Sequence, residues 1–415
     1  MTDEQLDAEA RAILTRNDQG CYTVPTHGLY PFQWNWDSVF AAWGFSTFDP
    51  NRAWQELETL FSGQWDTGMV PHIIFQKEDD GYFPGPDVWG AGQTPPTSGI
   101  SQPPVAAILA RSIHARIGGT ERLAALYPKM LAWHRWWHDY RCTGGAAAIT
   151  HPWESGRDNS PEWDTGMDGV DPSGVGTYTR RDTGHVDASM RPKKDDYDRY
   201  IKIVQFGRSV GWDQQEIMKN GPFCMADPAI TLILIRANRD LAALAEVLGE
   251  DPAEPLAWAD ALEDALHGIW NPALSAYTAR NLRTGEFANA ISSGAALGWL
   301  AGVNNSDMDD TLIQMWDKVR YGIPSNDPGA STFDARRYWR GPSWPVVNAL
   351  IALGLREAGR SGDEARLRRE TADLIRQGGF YEYFDPTDGT ACGGNHFTWT
   401  AAIWLAWASP NAEAA

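Results

Sequence analysis

Cysteine is scarce: four residues in 415, Cys21, Cys142, Cys224 and Cys392, far apart and without a C-x-x-C pair. Such spacing supports neither a zinc site nor a disulfide framework, so reduced, structural thiols are expected. Basic residues are also few, 35 Lys+Arg against 54 Asp+Glu, which gives a formal net charge of −19. Phosphate binding needs a basic footprint, so nucleic acid and anionic membranes are poor partners. No apolar run approaches the roughly 18–20 residues that span a bilayer. The opening MTDEQLDAEARAIL is polar and helix-like, with no signal-peptide core. A cytoplasmic protein is expected, and a homo-oligomer is compatible with this composition. The loop histidines His27, His72, His151, His185 and His396 lack H-x-x-x-H and H-E-x-x-H spacing, so no metal site or cofactor is expected. His72 and His151 read as hydrogen-bonded scaffold in a loop, with sugar contact as the lesser alternative.

What is abundant is tryptophan, 21 residues beside 13 Tyr and 14 Phe. Half of these fill a core, as large aromatics ordinarily do. The others sit in loop-like strings with Gly, Pro or acids: QWNWD, YFPGPDVWG, HPWESGRD, YWRGPSWP. Aromatics on such loops, next to acids, suit a flat hydroxylated ligand such as a sugar.

Apolar residues recur at three- and four-residue spacing over 3–15, 37–61, 102–117, 121–140, 228–247, 254–270, 287–302, 307–319, 343–358, 363–377 and 398–408. Short turns such as IGGTER and LGEDPAEP separate them, and strand-like alternation is rare. About a dozen helices in serial hairpins predict an all-α toroid in one domain spanning 1–415. Residues 62–101 and 155–200 break the rhythm with Gly, Pro, Asp and aromatics. Irregular stretches this long are usually lids or binding loops, so both are expected to roof a pocket.

Two strings carry candidate chemistry. In His151-Pro-Trp-Glu-Ser-Gly-Arg-Asp-Asn-Ser-Pro161, Pro152 and Gly156 permit a sharp turn that would project Trp153, Glu154 and Asp158 into a cavity. In Phe380-Tyr-Glu-Tyr-Phe-Asp-Pro-Thr-Asp-Gly389, Glu382 lies among aromatics, where a carboxyl tends to stay protonated. One protonated and one ionised carboxyl is the equipment of glycoside hydrolysis. The plainer alternative makes Asp158 a helix cap and Glu382 a solvated loop acid.

W-E-S-G-x-D-N-S-P followed by E-Y-x-x-P-x-x-G resembles glycoside hydrolase family 63, in particular its small members acting on mannosylglycerate and glucosylglycerate. Tyr30-Pro-Phe-Gln-Trp-Asn-Trp-Asp37, Gly68-Met-Val-Pro-His72, Thr97-Ser-Gly-Ile-Ser-Gln102, Arg191-Pro with Tyr197-Asp-Arg-Tyr200, and Tyr338-Trp-Arg-Gly-Pro-Ser-Trp344 extend the likeness over most of the chain. The resemblance implies an (α/α)6 barrel and an inverting mechanism with Asp158 as general acid and Glu382 as general base, the carboxyls about 6.5–9.5 Å apart. It also implies sugar contacts from Tyr30, Trp34, Trp36, Asp37, Trp153, Gly156, Arg191, Trp339 and Trp344. Tyr82, Gln102, Tyr197 and Tyr338 would contact the leaving group, glycerate in those relatives. Where glycerate-acting relatives carry Gln, this chain has His396; it either replaces the amide donor or marks a different aglycone.

Remaining motifs have plain readings. Asp307-Met-Asp-Asp310 is D-x-D-D, but acids after Ser306 are ordinary helix N-terminal chemistry. Asp195-Asp-Tyr-Asp198 lacks the Gly turn and terminal Glu of a calcium loop and reads as a helix start orienting Tyr197. Asn304-Asn-Ser306 is formally a glycosylation sequon. The expected activity is inverting hydrolysis of a small α-glucoside or α-mannoside, such as glucosylglycerate or mannosylglycerate. Alternatives are a short α-glucoside with another polar or anionic aglycone, a sugar isomerase or 2-epimerase, and an inactive sugar-binding protein.

Overall fold

The apolar periodicity resolves into helices with identifiable starts. The computed structural model describes residues 1–142, 145–303 and 305–412. In chain order the main helices are α1 (Asp3–Asn17), α2 (Asn35–Phe45), α3 (Pro50–Ser62), α4 (Ala106–Ile117), α5 (Thr120–Arg141) and α6 (Pro228–Leu248). They continue as α7 (Ala253–Ala265), α8 (the short turns Ser293–Ala296 and Gly298–Ala301), α9 (Ser306–Asp317), α10 (Pro345–Glu357), α11 (Ser361–Gly378) and α12 (Thr398–Ile403, prolonged by a π turn over Trp404–Ala408). Thr2 and Gln5 form a reciprocal capping box on α1. Asp227 caps α6 ahead of Pro228, and Asp49 caps α3 ahead of Pro50.

The even-numbered helices form an inner ring. α2 is buried along its whole length, as a helix apolar on all sides must be. It packs on α12 and α4; α4 packs on α6, α6 on α8, α8 on α10, and α10 on α12, which closes the circle. The odd-numbered helices lie outside, and α3, α9 and α11 turn only their apolar stripe inward. This is the expected (α/α)6 barrel.

Its two ends are unequal. Inner helices lead to outer ones through short turns, 46–49, 118–119, 249–252 and 358–360. Outer helices lead back through long irregular segments, including 18–34, 63–105, 266–292, 318–344 and 379–397. Two-residue antiparallel strand pairs brace these segments: Gln33–Trp34 on Ile73–Ile74, and Tyr383–Phe384 on Ala391–Cys392. Ala148–Ile149, Met225–Ala226 and Arg280–Asn281 form a three-stranded sheet. All of this material collects where the inner helices begin.

Several boundaries differ from the sequence reading. The run 37–61 breaks at 46–49, because Asp49-Pro50 starts a new helix. The run 287–302 is extended until Ser292 caps α8. The second irregular region ends in a helix, Lys194–Ser209, followed by Gln214–Asn220. Asp195 and Asp196 do lie in the first turn of Lys194–Ser209, and the Asp196 carboxylate accepts from Lys193 N–H at 2.9 Å. On α9 the cap is Asn305, which accepts from Met308 N–H at 3.1 Å, with Asp307 and Asp309 in the first turn. Asn304, the acceptor of the sequon, lies outside the described residues. Between α5 and α6, Asn238 is bonded to both His134 Nδ1 (2.7 Å) and His138 Nε2 (3.1 Å), a polar link inside the wall. Among the described residues no helix is long and apolar enough to cross a membrane.

Glu154 corrects the sequence reading of its turn. Its carboxylate points away from the cavity and meets Arg141 at 3.0 and 3.1 Å, with Thr150 N–H donating at 2.9 Å; both charged side chains are fully buried. A buried carboxylate needs such a partner, and a pocket position would have left Arg141 alone in the core. Glu154→Ala should therefore destabilise the fold by about 3–5 kcal/mol. Urea unfolding of mutant and wild type measures this, and a loss below about 1 kcal/mol would show that the pair is not holding the turn.

Candidate active site

One pocket at the mouth of the barrel gathers residues from five of the long segments. Asp158 enters it from the turn after the 3-10 helix Pro152–Ser155. Gly156 sits there at φ +67°, and a Cβ would lie 3.0 Å from the Trp36 ring and from Pro103. Only glycine satisfies both the left-handed turn and the close approach. The turn is clamped from below and from both sides. Arg157 is buried and paired with Glu162 and Asp227. Asn159 Oδ1 accepts from Trp339 N–H at 2.9 Å, and Tyr200 O–H donates to the Asp158 carbonyl at 2.9 Å. Burial lifts the Asp158 carboxyl from 3.8 to about 7; Arg191 opposes the shift and the negative charges of Glu382 and Asp182 add to it. Near neutral pH Asp158 is thus a carboxylic acid able to give up a proton.

Glu382 faces the same pocket and is fully buried, which removes the solvated-loop reading. Its backbone is fixed by its own N–H to the Gly394 carbonyl (2.8 Å) and by Trp399 Nε1–H to its carbonyl (3.0 Å). Its carboxylate accepts from Gly394 N–H (3.0 Å), Tyr30 O–H (3.0 Å) and Arg191 Nη1 (3.3 and 3.4 Å). Gly393, at φ +74°, has to be glycine because a Cβ would stand 2.4 Å from Glu382 Oε2. Arg191 also donates to the Tyr30 hydroxyl oxygen (2.6 Å) and to Asp182 (3.1 Å) and lies 4.0 Å over the Tyr338 ring. Burial lifts the Asp37 carboxyl well above its usual range, and the nearby Glu382 adds to that.

Of the residues singled out in the sequence, Tyr30, Trp34, Trp36, Asp37, Tyr82, Gln102, Trp153, Gly156, Asp158, Arg191, Tyr197, Tyr338, Trp339 and Glu382 line this pocket together. Gln102 Oε1 accepts from Trp36 N–H at 3.1 Å and so caps the uncapped start of α2. Trp344 stands one layer back, stacked on Trp339 at 3.8 Å, and donates to the Tyr338 carbonyl. His396 is exposed and outside the lining; its carbonyl, not its ring, is engaged, by Asn17. The turn after Gly393-Gly394 carries the ring outward while delivering the Gly394 amide to Glu382.

The two irregular regions meet over the pocket. Tyr82, Phe83 and Pro84 come from the first; Arg181, Asp182, Arg191 and Tyr197 come from the second. Phe83 stacks on Tyr178 at 4.6 Å, Tyr197 O–H donates to the Phe83 carbonyl at 3.2 Å, and Arg181 pairs with Asp79. Lining residues that sequence reasoning passed over include Arg181, Asp182, Phe397 and Trp399, together with His72, read as scaffold. Asp182 is held below its ordinary pKa because Arg191 and Arg180 outweigh its burial. Arg180-Arg181-Asp182 carries no motif, so only the path of the loop reveals it. Phe397 and Trp399 precede and open α12, which the barrel geometry alone brings to the mouth. Among the described residues no group of three or more His, Cys, Asp or Glu is placed to hold a metal ion.

Residues 30–400 match the model of the mannosylglycerate hydrolase MGH1-like glycoside hydrolase domain. Mannosylglycerate hydrolase MGH1 of Selaginella moellendorffii is 42% identical over 96% of this chain and 84% of its own length. Mannosylglycerate hydrolase of Thermus thermophilus is also 42% identical, over 96% of this chain and 99% of its own. The crystal structure of a family 63 mannosylglycerate hydrolase from Thermus thermophilus with Tris and D-glycerate superposes with a TM-score of 0.92 at 42% identity, covering 96% of this chain and 99% of that one. The matched span includes both acidic turns and all of the pocket lining except Pro25 and Leu29, so the chain belongs to the MGH1-like family of glycoside hydrolases.

Proposed function

We propose that this protein hydrolyses α-mannosylglycerate to mannose and glycerate by an inverting mechanism, with Asp158 as general acid and Glu382 as general base. The observation that carries the reading is the pair of unlike carboxyls on one closed pocket. Asp158 is held protonated up to about pH 7, whereas Glu382 accepts from an amide, a tyrosine and a guanidinium. An ionised carboxylate is an acceptor only, which is the state a general base requires. In the reaction Asp158 donates its proton to the glycosidic oxygen as that bond breaks. Glu382 takes a proton from the water that attacks the anomeric carbon from the opposite face. Asp158 ends ionised and Glu382 protonated, and exchange with solvent resets both.

The remaining pocket residues take consistent parts. Trp34, Trp36, Trp153 and Trp339 supply flat faces for the sugar ring, and Asp37 and Arg191 supply polar contacts. Trp344 acts through Trp339, whose indole it backs. Tyr82, Gln102, Tyr197 and Tyr338 border the leaving group. The paired loops exclude bulk water, which strengthens every polar contact inside, and they favour a short substrate over a polymer.

Three measurements test this. The rate kcat/KM should fall about tenfold per pH unit above about pH 7, because the acid must be protonated and Asp158 titrates there. A substrate with a good leaving group, such as a dinitrophenyl mannoside, should lose that alkaline limb; a limb that persists would move the acid role away from Asp158. Asp158→Ala and Glu382→Ala should each lower mannosylglycerate turnover by about 10²–10⁴-fold with the fold intact, and wild-type turnover in either removes that residue from the mechanism. Proton NMR of the first product from the α-linked substrate should show β-mannose, whereas initial α-mannose would mean retention.

A further inference from the structure

Among the described residues His72 has no hydrogen-bond partner for its imidazole. Its backbone is fixed on both sides, the N–H to the Ile100 carbonyl at 2.8 Å and the carbonyl from Asn35 N–H at 3.1 Å. The side chain is 5% exposed and lines the pocket. It is set loosely parallel to Trp153 (6.1 Å) and edge-on to Trp34 (6.5 Å). Among the described residues Nδ1 is sealed from solvent without a hydrogen-bond partner. Nε2 also lacks a partner but is not sealed, so it is the nitrogen that opens on the cavity.

Of the other buried histidines, His134 is bonded through Nδ1 to Asn238, with its Nε2 sealed inside the wall and without a partner among the described residues. His151 is bonded through both ring nitrogens, to Trp153 N–H (3.0 Å) and the Tyr200 carbonyl (3.1 Å), and serves as scaffold. A rigidly held imidazole with an idle polar edge on a pocket would be a net cost unless something else completes it. A buried polar atom left unpaired costs about 1–3 kcal/mol. The tautomer follows from the same accounting: an unpaired buried N–H costs more than an unpaired lone pair. Nδ1 therefore stays bare and Nε2 carries the hydrogen. Burial, with His151 nearby, holds the ring well below its ordinary pKa, so it presents one directed donor rather than a cation.

We propose that His72 is a further specificity-determining residue, whose Nε2–H donates to an oxygen of the aglycone. The inference rests on the glycosidase reading above and assigns a contact within it. The aglycone side follows from the neighbours: Trp34 packs edge-on to Tyr82 (5.7 Å), and Trp153 edge-on to Tyr197 (5.7 Å). His72 thus stands behind the junction where the two leaving-group tyrosines meet the sugar platform. A glycerate carboxylate or hydroxyl oxygen is an acceptor of the right kind; the ring carbons of an aryl aglycone are not.

The test compares His72→Phe, which keeps the ring and its packing, with His72→Gln, which returns an N–H donor near the Nε2 position. His72→Phe should lower kcat/KM for mannosylglycerate by about 10–100-fold, at least ten times more than for p-nitrophenyl α-mannoside. The melting temperature should hold or rise, because an apolar ring replaces an unpaired polar one. His72→Gln should recover part of the selectivity. Equal losses on both substrates, or selectivity unchanged from wild type, would overturn the assignment, and a lower melting temperature accompanying equal losses would make His72 a packing residue. If the wild type cleaves the aryl mannoside but not mannosylglycerate, the substrate reading fails instead. His72 is then decided by the same variants on whichever oxygen-bearing aglycone the wild type cleaves best, where an unchanged ratio to the aryl glycoside overturns it.

Discussion

The pairing of Arg191 with Glu382 is the contact on which the pocket depends. Both side chains are almost wholly buried, 5% and 1% exposed, so neither charge has water to stabilise it. A buried charge without its partner costs several kcal/mol, which makes the arrangement close to all-or-none. Arg191 spends its other donors on Tyr30 and Asp182 and its flat face on Tyr338. One guanidinium thereby ties together four segments far apart in the chain. The position of the Glu382 carboxylate is set by the same contact that ties the second irregular region to the pocket.

The barrel explains why such a contact is possible. The inner helices α2, α6 and α10 are buried along most of their length, and the starts of all the inner helices point toward one mouth. Short turns at the far end leave no room for chemistry; long segments at the near end carry nearly every polar function. Asp158 and Glu382 sit on segments before α6 and α12, Asp158 held at its carbonyl by Tyr200 O–H and Glu382 at its N–H by the Gly394 carbonyl. Their unlike environments follow from what each segment meets. Glu382 is surrounded by donors, whereas Asp158 is enclosed with the negative charges of Glu382 and Asp182 near it.

Enclosure by the two irregular regions is a matter of side-chain pairing across them. The Phe83–Tyr178 stack and the Arg181–Asp79 pair join loops about a hundred residues apart in sequence. Neither pair belongs to a motif, and neither has meaning until the loops are brought face to face. The aromatic excess noticed in the sequence divides accordingly: Trp133, Trp136, Trp137 and Trp316 fill the helical core, while Trp34, Trp36, Trp153 and Trp339 face the cavity.

Helix period, breaker residues and the two acidic strings are local properties, and they are sufficient to give the barrel, the family resemblance and most of the pocket lining. The sequence alone therefore determined that this is a toroid of helix pairs with acids and tryptophans on its loops. It did not determine where each of those side chains points. Glu154 and Asp158 lie four residues apart in one turn, yet one is buried against Arg141 and the other faces the cavity, because the choice depends on a charge supplied by α5. His396 follows the acidic turn in sequence but faces solvent, while His72, which looked like scaffold, faces the cavity with its ring unpaired. Direction, burial and charge compensation depend on partners tens to hundreds of residues away, and only the closed tertiary structure brings those partners within reach.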